Sequence, residues 1–185
     1  MTNSISWDHD DTIHAYWAVP GSVLVGEYPG GPQGGAPADA LSALLDSGIR
    51  TFIDVTHPSE RLPPYGPTLL GLCEQSGIDV AVLSFPIPAE GVLDMDGYDA
   101  IVDQIRSSVG LGGVYVHGRV GLERSAVVMG CMLIDSGLSY EGAMRTIKER
   151  RSGTRLADTR DPNSFPQREI LIRRADRPHA DNPAR

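Results

Sequence analysis

Residues 114–125, Val-Tyr-Val-His-Gly-Arg-Val-Gly-Leu-Glu-Arg-Ser, constrain the fold more than any other stretch of this chain. An apolar run, Val114–His117, reads as a strand, and a loop with a central glycine leads from it into an Arg-Ser pair that opens a helix. In a strand–loop–helix of this kind the backbone N–H groups of the loop and of the first helical turn converge on one point, where the helix dipole also favours negative charge. Arg124 adds a planar, two-pronged donor suited to an oxyanion. Gly118, Arg119, Val120, Gly121, Leu122, Glu123, Arg124 and Ser125 therefore form a candidate anion site.

The rest of the chain supplies a frame for such a site. At 185 residues, with 41% hydrophobic and 22% charged residues, it reads as a single globular domain over 13–174. A polar segment at 1–12 is expected to be flexible, and a polar tail at 175–185 disordered. Asp8-His9-Asp10-Asp11 has ligand types for a metal but reads as a solvated terminal run, so no metal or other cofactor is expected. A net charge of −8 argues against nucleic acid or an anionic membrane as the main partner, yet allows a small anionic ligand held locally. The two cysteines, Cys73 and Cys131, read as core thiols of a soluble cytoplasmic protein.

Turn signals divide the domain into alternating elements. Strands are predicted around 14–18 and 22–26, on either side of Pro20-Gly21, then at 51–55, 78–85 and 113–117. Helices are predicted at 38–46, 68–75, 98–108, 124–136, 139–151 and 167–173, the last opened by Asp161-Pro162-Asn163-Ser164. The 124–136 segment is apolar nearly all round and belongs at the centre. This order implies an α/β domain with a mainly parallel central sheet flanked by helices. In such sheets ligands sit at the carboxyl ends of the strands, where the 117–124 loop falls.

The loop's spacing resembles the signature of cysteine-dependent dual-specificity and protein-tyrosine phosphatases, H-C-x-x-G-x-x-R-S/T. The segments 16–21, 26–30, 52–56, 62–65, 85–88 and 161–167 are similar to stretches of small bacterial members, so the resemblance covers about 14–173. It implies the phosphatase fold, with His117 before the nucleophile position, Gly121 as the loop glycine, Arg124 as the phosphate-binding arginine and Ser125 after it. Gly118 stands at the nucleophile position and has no side chain that can attack phosphorus. The acid segment of related sequences, F-P-I-x-D, becomes Phe85-Pro86-Ile87-Pro88-Ala89 here, so Ala89 replaces the aspartic acid that would protonate the leaving group. The resemblance thus implies a pseudophosphatase with no intact catalytic residue.

Several residues admit two readings. Glu90, His117 or Glu123 could move a proton in altered chemistry, but His117 reads more simply as a buried histidine bonded to backbone. Arg124 either binds an anion or braces the loop through a carboxylate such as Glu123 or Glu27. Arg119 lines the mouth or is a plain surface charge, and Ser125 braces the loop or caps the helix. Cys131, two turns below Arg124 (roughly 10 Å along the axis), faces the core, as does Cys73. His57 reads as a loop residue, and Tyr28 and Trp17 as core aromatics or pocket walls. Three functions follow: a module that binds a phosphorylated or carboxylated small molecule or a phosphoprotein, a repurposed enzyme acting on a small anion, or a residual phosphatase using water.

Overall fold

A computed structural model describes residues 6–31, 37–119, 123–158, 162 and 164–177. Five strands form one sheet: β1 (Ala15–Val19), β2 (Val23–Gly26), β3 (Ile49–Asp54), β4 (Ala81–Ser84) and β5 (Gly113–His117). Their spatial order is β1-β2-β5-β3-β4, with β1 antiparallel to β2 and the other three pairings parallel. Among the described residues six α-helices accompany them: α1 (Pro37–Asp46), α2 (Gly66–Ser76), α3 (Met95–Val109), α4 (Glu123–Asp135), α5 (Tyr140–Arg151) and α6 (Phe165–Ala175).

Strand alternation divides the core in two. Tyr16, Val25, Ile53, Val114 and Val116 face α3–α6, and Ala15, Trp17, Leu24, Phe52 and Tyr115 face α1 and α2. Helix α4 has nine buried residues and sits centrally, as its all-round apolarity predicts. Gly130 lets α6 approach it, since a Cβ there would stand 2.7 Å from Leu171 Cδ2. Ser164 caps α6 through a capping box with Gln167, which matches the expected helix start. Both cysteines are free and buried.

Two expectations change. The segment at 6–12 is packed, not loose: Trp7 is 6% exposed, and its Nε1–H donates to the Ile13 carbonyl at 2.7 Å. The acidic run serves as an anchor. Asp10 accepts the Arg155 N–H at 2.7 Å, Asp11 pairs with the Arg155 guanidinium, and no group of three or more metal-ligating side chains exists among the described residues. The 78–85 strand shrinks to β4, and Ala81, Val82 and Ser84 are exposed because β4 is an edge strand. An apolar run alone does not distinguish edge from centre. No described helix is long and apolar enough to cross a membrane.

Candidate active site

Parallel register brings Gly26, His117, Asp54 and Ser84 side by side at the carboxyl ends of four strands. Gly26 is required there, since a Cβ would lie 2.5 Å from Tyr115 Oη and 2.6 Å from the His14 carbonyl oxygen. Gly118 follows β5 and is buried, and Arg119 is exposed, with its carbonyl accepting the Tyr28 N–H at 3.0 Å. Val120, Gly121 and Leu122 lie outside the described residues. Glu123 begins α4, and Arg124 and Ser125 are buried in its first turn.

Arg124 is paired, and its partner is neither Glu123 nor Glu27. Its Nη1 and Nη2 donate to Glu60 Oε1 at 2.6 Å and Oε2 at 3.0 Å, a two-pronged pair with side chains 9% and 6% exposed. Nη1 also donates to the Val55 and Ile87 carbonyls at 3.4 and 3.1 Å. One guanidinium thus fastens the loops after β3 and β4 to the start of α4. Glu27 is engaged elsewhere, accepting the His14 N–H at 3.1 Å.

Local chain geometry presents Glu60. A single 3₁₀ turn, Pro58–Glu60, is capped by His57, and the His57 N–H donates to Glu60 Oε1 at 2.8 Å. Desolvation pushes the Glu60 carboxyl up, but hydrogen bonds from Arg124 and the His57 backbone and the charges of Arg124 and Arg119 hold it below its ordinary value. The residue that follows, Arg61, adopts φ 49°, a left-handed conformation unusual for a side chain of its size. Sequence reasoning missed Glu60 because 64 positions separate it from Arg124. The available signal was a capping-box spacing, with Glu60 three residues after His57 and Pro58 at the first helical position.

Arg124's end-on edge is used and its side edge is not. Nε–H and the second Nη2 N–H donate to nothing among the described residues, so the guanidinium keeps two aligned donors. The Ser125 hydroxyl is also fully buried and bonds to nothing among them.

His117 is fully buried, with partners other than the expected backbone alone. Its Nε2 lies 3.0 Å from Tyr65 Oη, and its Nδ1 is 3.8 Å from Asp54 Oδ1. Tyr28, Tyr65 and Tyr115 surround the ring at centroid distances of 5.5, 5.4 and 5.5 Å. Desolvation lowers its pKa to about 4, against the opposing effects of the Asp54 charge and a bond to the Gly118 backbone. The imidazole is therefore neutral near pH 7. A histidine whose folded pKa lies below its unfolded value of 6.5 favours unfolding in acid. We expect about 3 kcal/mol of unfolding free energy to be lost between pH 6.5 and 4, and urea titrations of the parent and His117→Gln will measure it. Equal pH slopes in the two proteins would refute the assignment.

The other candidates are dispersed. Ala89 and Glu90 are exposed in a turn closed by the Gly91 N–H on the Pro88 carbonyl, and neither Glu90 nor Glu123 forms a hydrogen bond or ion pair among the described residues. Burial pushes the Cys131 thiol up to about 12 and raises that of Cys73, so neither is poised to attack. Tyr28 walls the site, whereas Trp17 packs in the α1/α2 core.

No protein-family model matches the chain. An uncharacterized protein of Streptomyces coelicolor is 40% identical over 58 residues, 31% of this chain, which spans about half (54%) of that relative's length. Among solved structures, Tk-PTP in its active form aligns with TM-score 0.67 and 23% identity over 89% of this chain and 97% of its own. Kinase associated phosphatase aligns with TM-score 0.65 and 22% identity over 86% and 90%, and Pseudomonas aeruginosa TpbA with 0.59 and 17% over 90% and 87%. The chain therefore has the fold of the dual-specificity and protein-tyrosine phosphatases.

Proposed function

We propose that this protein is a catalytically silent phosphatase-fold module that binds a phosphate-like or carboxylate anion at the start of α4. The observation that carries the reading is the half-used guanidinium of Arg124. Glu60 fixes its orientation and neutralises much of its charge, while two N–H groups with no acceptor among the described residues can grip an oxyanion side-on. The buried Ser125 hydroxyl, unbonded among the described residues, offers a further donor in the same helical turn. Turnover by the thiolate route needs a nucleophile and an acid, and Gly118 and Ala89 supply neither. Two proteins of the same fold were solved with phosphate-like or phosphorylated ligands, one with zinc tungstate and PTPMT1 with PI(5)P.

Thermal unfolding with tungstate or inorganic phosphate tests this. Ligand at about a hundred times its dissociation constant adds about 2.7 kcal/mol, roughly 5–10 °C for a domain of this size. Arg124→Lys keeps a charge for Glu60 but loses the side-on fork, so the shift should disappear in that variant. Aryl phosphate hydrolysis should stay at background in both proteins. No shift in the parent, or phosphate release above background, would overturn the reading.

A further inference from the structure

Beside the Arg124 site lies a cavity of about 230 Å³ whose lining includes Tyr28, Asp54, His57, Arg61, Leu62 and Ser84. It lies at the carboxyl ends of β3 and β4. Val55, which follows Asp54, gives its carbonyl to Arg124 Nη1 at 3.4 Å, so cavity and anion site are neighbours. The volume suits a few heavy atoms and falls below the usual range for drug-sized ligands.

The charged groups around this cavity are unevenly satisfied. Asp54 Oδ1 accepts the Thr56 N–H at 2.8 Å and the Thr56 hydroxyl at 2.6 Å, which fixes the carboxylate, but Oδ2 accepts nothing among the described residues. The neighbouring His117 is neutral and does not balance the charge. His57 Nδ1 lies 2.8 Å from the Ser59 hydroxyl and 3.3 Å from the Ser59 N–H. Arg61 is exposed and forms no ion pair among the described residues. The Tyr28 ring lines the same cavity, held by its hydroxyl donating to the Pro63 carbonyl at 2.8 Å. A fixed carboxylate, with one oxygen unbonded among the described residues and an aromatic ring in the same cavity, favours an ammonium group through charge and cation–π attraction.

Resting on the anion-binding reading above, we propose that the ligand is a small phosphorylated amine, with its phosphate on Arg124's side edge and its ammonium between Asp54 and the Tyr28 ring.

Calorimetry with phosphoethanolamine and 3-aminopropyl phosphate, each against its methyl isostere (propyl and butyl phosphate), tests the assignment. At least one amine should bind ten-fold or more tighter than its isostere. Asp54→Asn, which keeps the Oδ1 acceptor for Thr56, should bring that ratio near one and leave the alkyl phosphates unchanged. Tyr28→Leu should lower the ratio independently, should the asparagine variant fail to fold. Equal affinities within each pair in the parent would overturn the amine site and leave the anion reading intact. If no phosphoester binds, the anion reading falls, and propylamine alone then decides the amine site. Shifts confined to the Asp54–Thr56 amides would support it, and their absence would overturn it.

Discussion

Replacing Glu60 with alanine is expected to lower the unfolding free energy by about 3–5 kcal/mol at pH 7, the usual cost of leaving one member of a buried ion pair without its partner. At 9% exposure Arg124 is poorly placed to recruit water. The loss spreads beyond the pair, because the same guanidinium holds the Val55 and Ile87 carbonyls. Removing both charges together, as Glu60→Met with Arg124→Met, should recover much of the loss, since an apolar pair carries no desolvation penalty. Acid should imitate the single substitution. A carboxyl whose folded pKa lies below its unfolded value of 4.5 gives stability that is present above pH 4.5 and is lost as pH falls through the folded value. Urea unfolding of the parent and Glu60→Ala at pH 7 measures the effect. A difference below about 1 kcal/mol would mean that the pair is held no better than a surface salt bridge.

The fold was legible where the pattern is local. Pro20-Gly21 set the β1–β2 turn, and short apolar runs marked β3 and β5. Asp161-Pro162-Asn163-Ser164 announced the start of α6. The start of α4 was legible too, because a strand, a glycine-containing loop and an Arg-Ser pair lie within twelve consecutive residues. What escaped depends on contacts between distant positions. Trp7 was assigned to a loose terminus because its neighbours are polar, although the indole packs edge-on at 6.3 Å from Trp17, on a strand not yet begun. Glu60 met Arg124, and Asp54 met His117, only when β3 came to lie beside β5. His117 shows the same limit in its chemistry. Burial on a strand end is readable, but the choice between a backbone carbonyl and the Tyr65 hydroxyl as its partner is set by residues 52 positions apart.

Restoring a thiol at position 118 is expected to return less activity than restoring the thiol and the acid together. Gly118→Cys would put sulfur where β5 ends, near the positive end of the α4 dipole, which lowers a thiol's pKa and raises the thiolate fraction at neutral pH. The phosphoryl oxygens would meet Arg124 already oriented by Glu60. No acid would then protonate the leaving oxygen, because Ala89 carries none and Glu90 is exposed in its turn without a partner. A positioned general acid contributes about 10²–10⁴ in rate, so Gly118→Cys with Ala89→Asp should exceed the single variant by at least about 10² on phenyl phosphate. Ile87 favours this outcome, since its bond to Arg124 at 3.1 Å fixes the chain two residues before the new aspartate. On 4-nitrophenyl phosphate the gap should narrow sharply, because nitrophenolate departs without needing a proton. That contrast separates a missing acid from a misshapen site. Equal gains on both esters would place the second effect outside acid catalysis, and an inert double variant would mean that the loop around Gly118 no longer aligns an in-line attack.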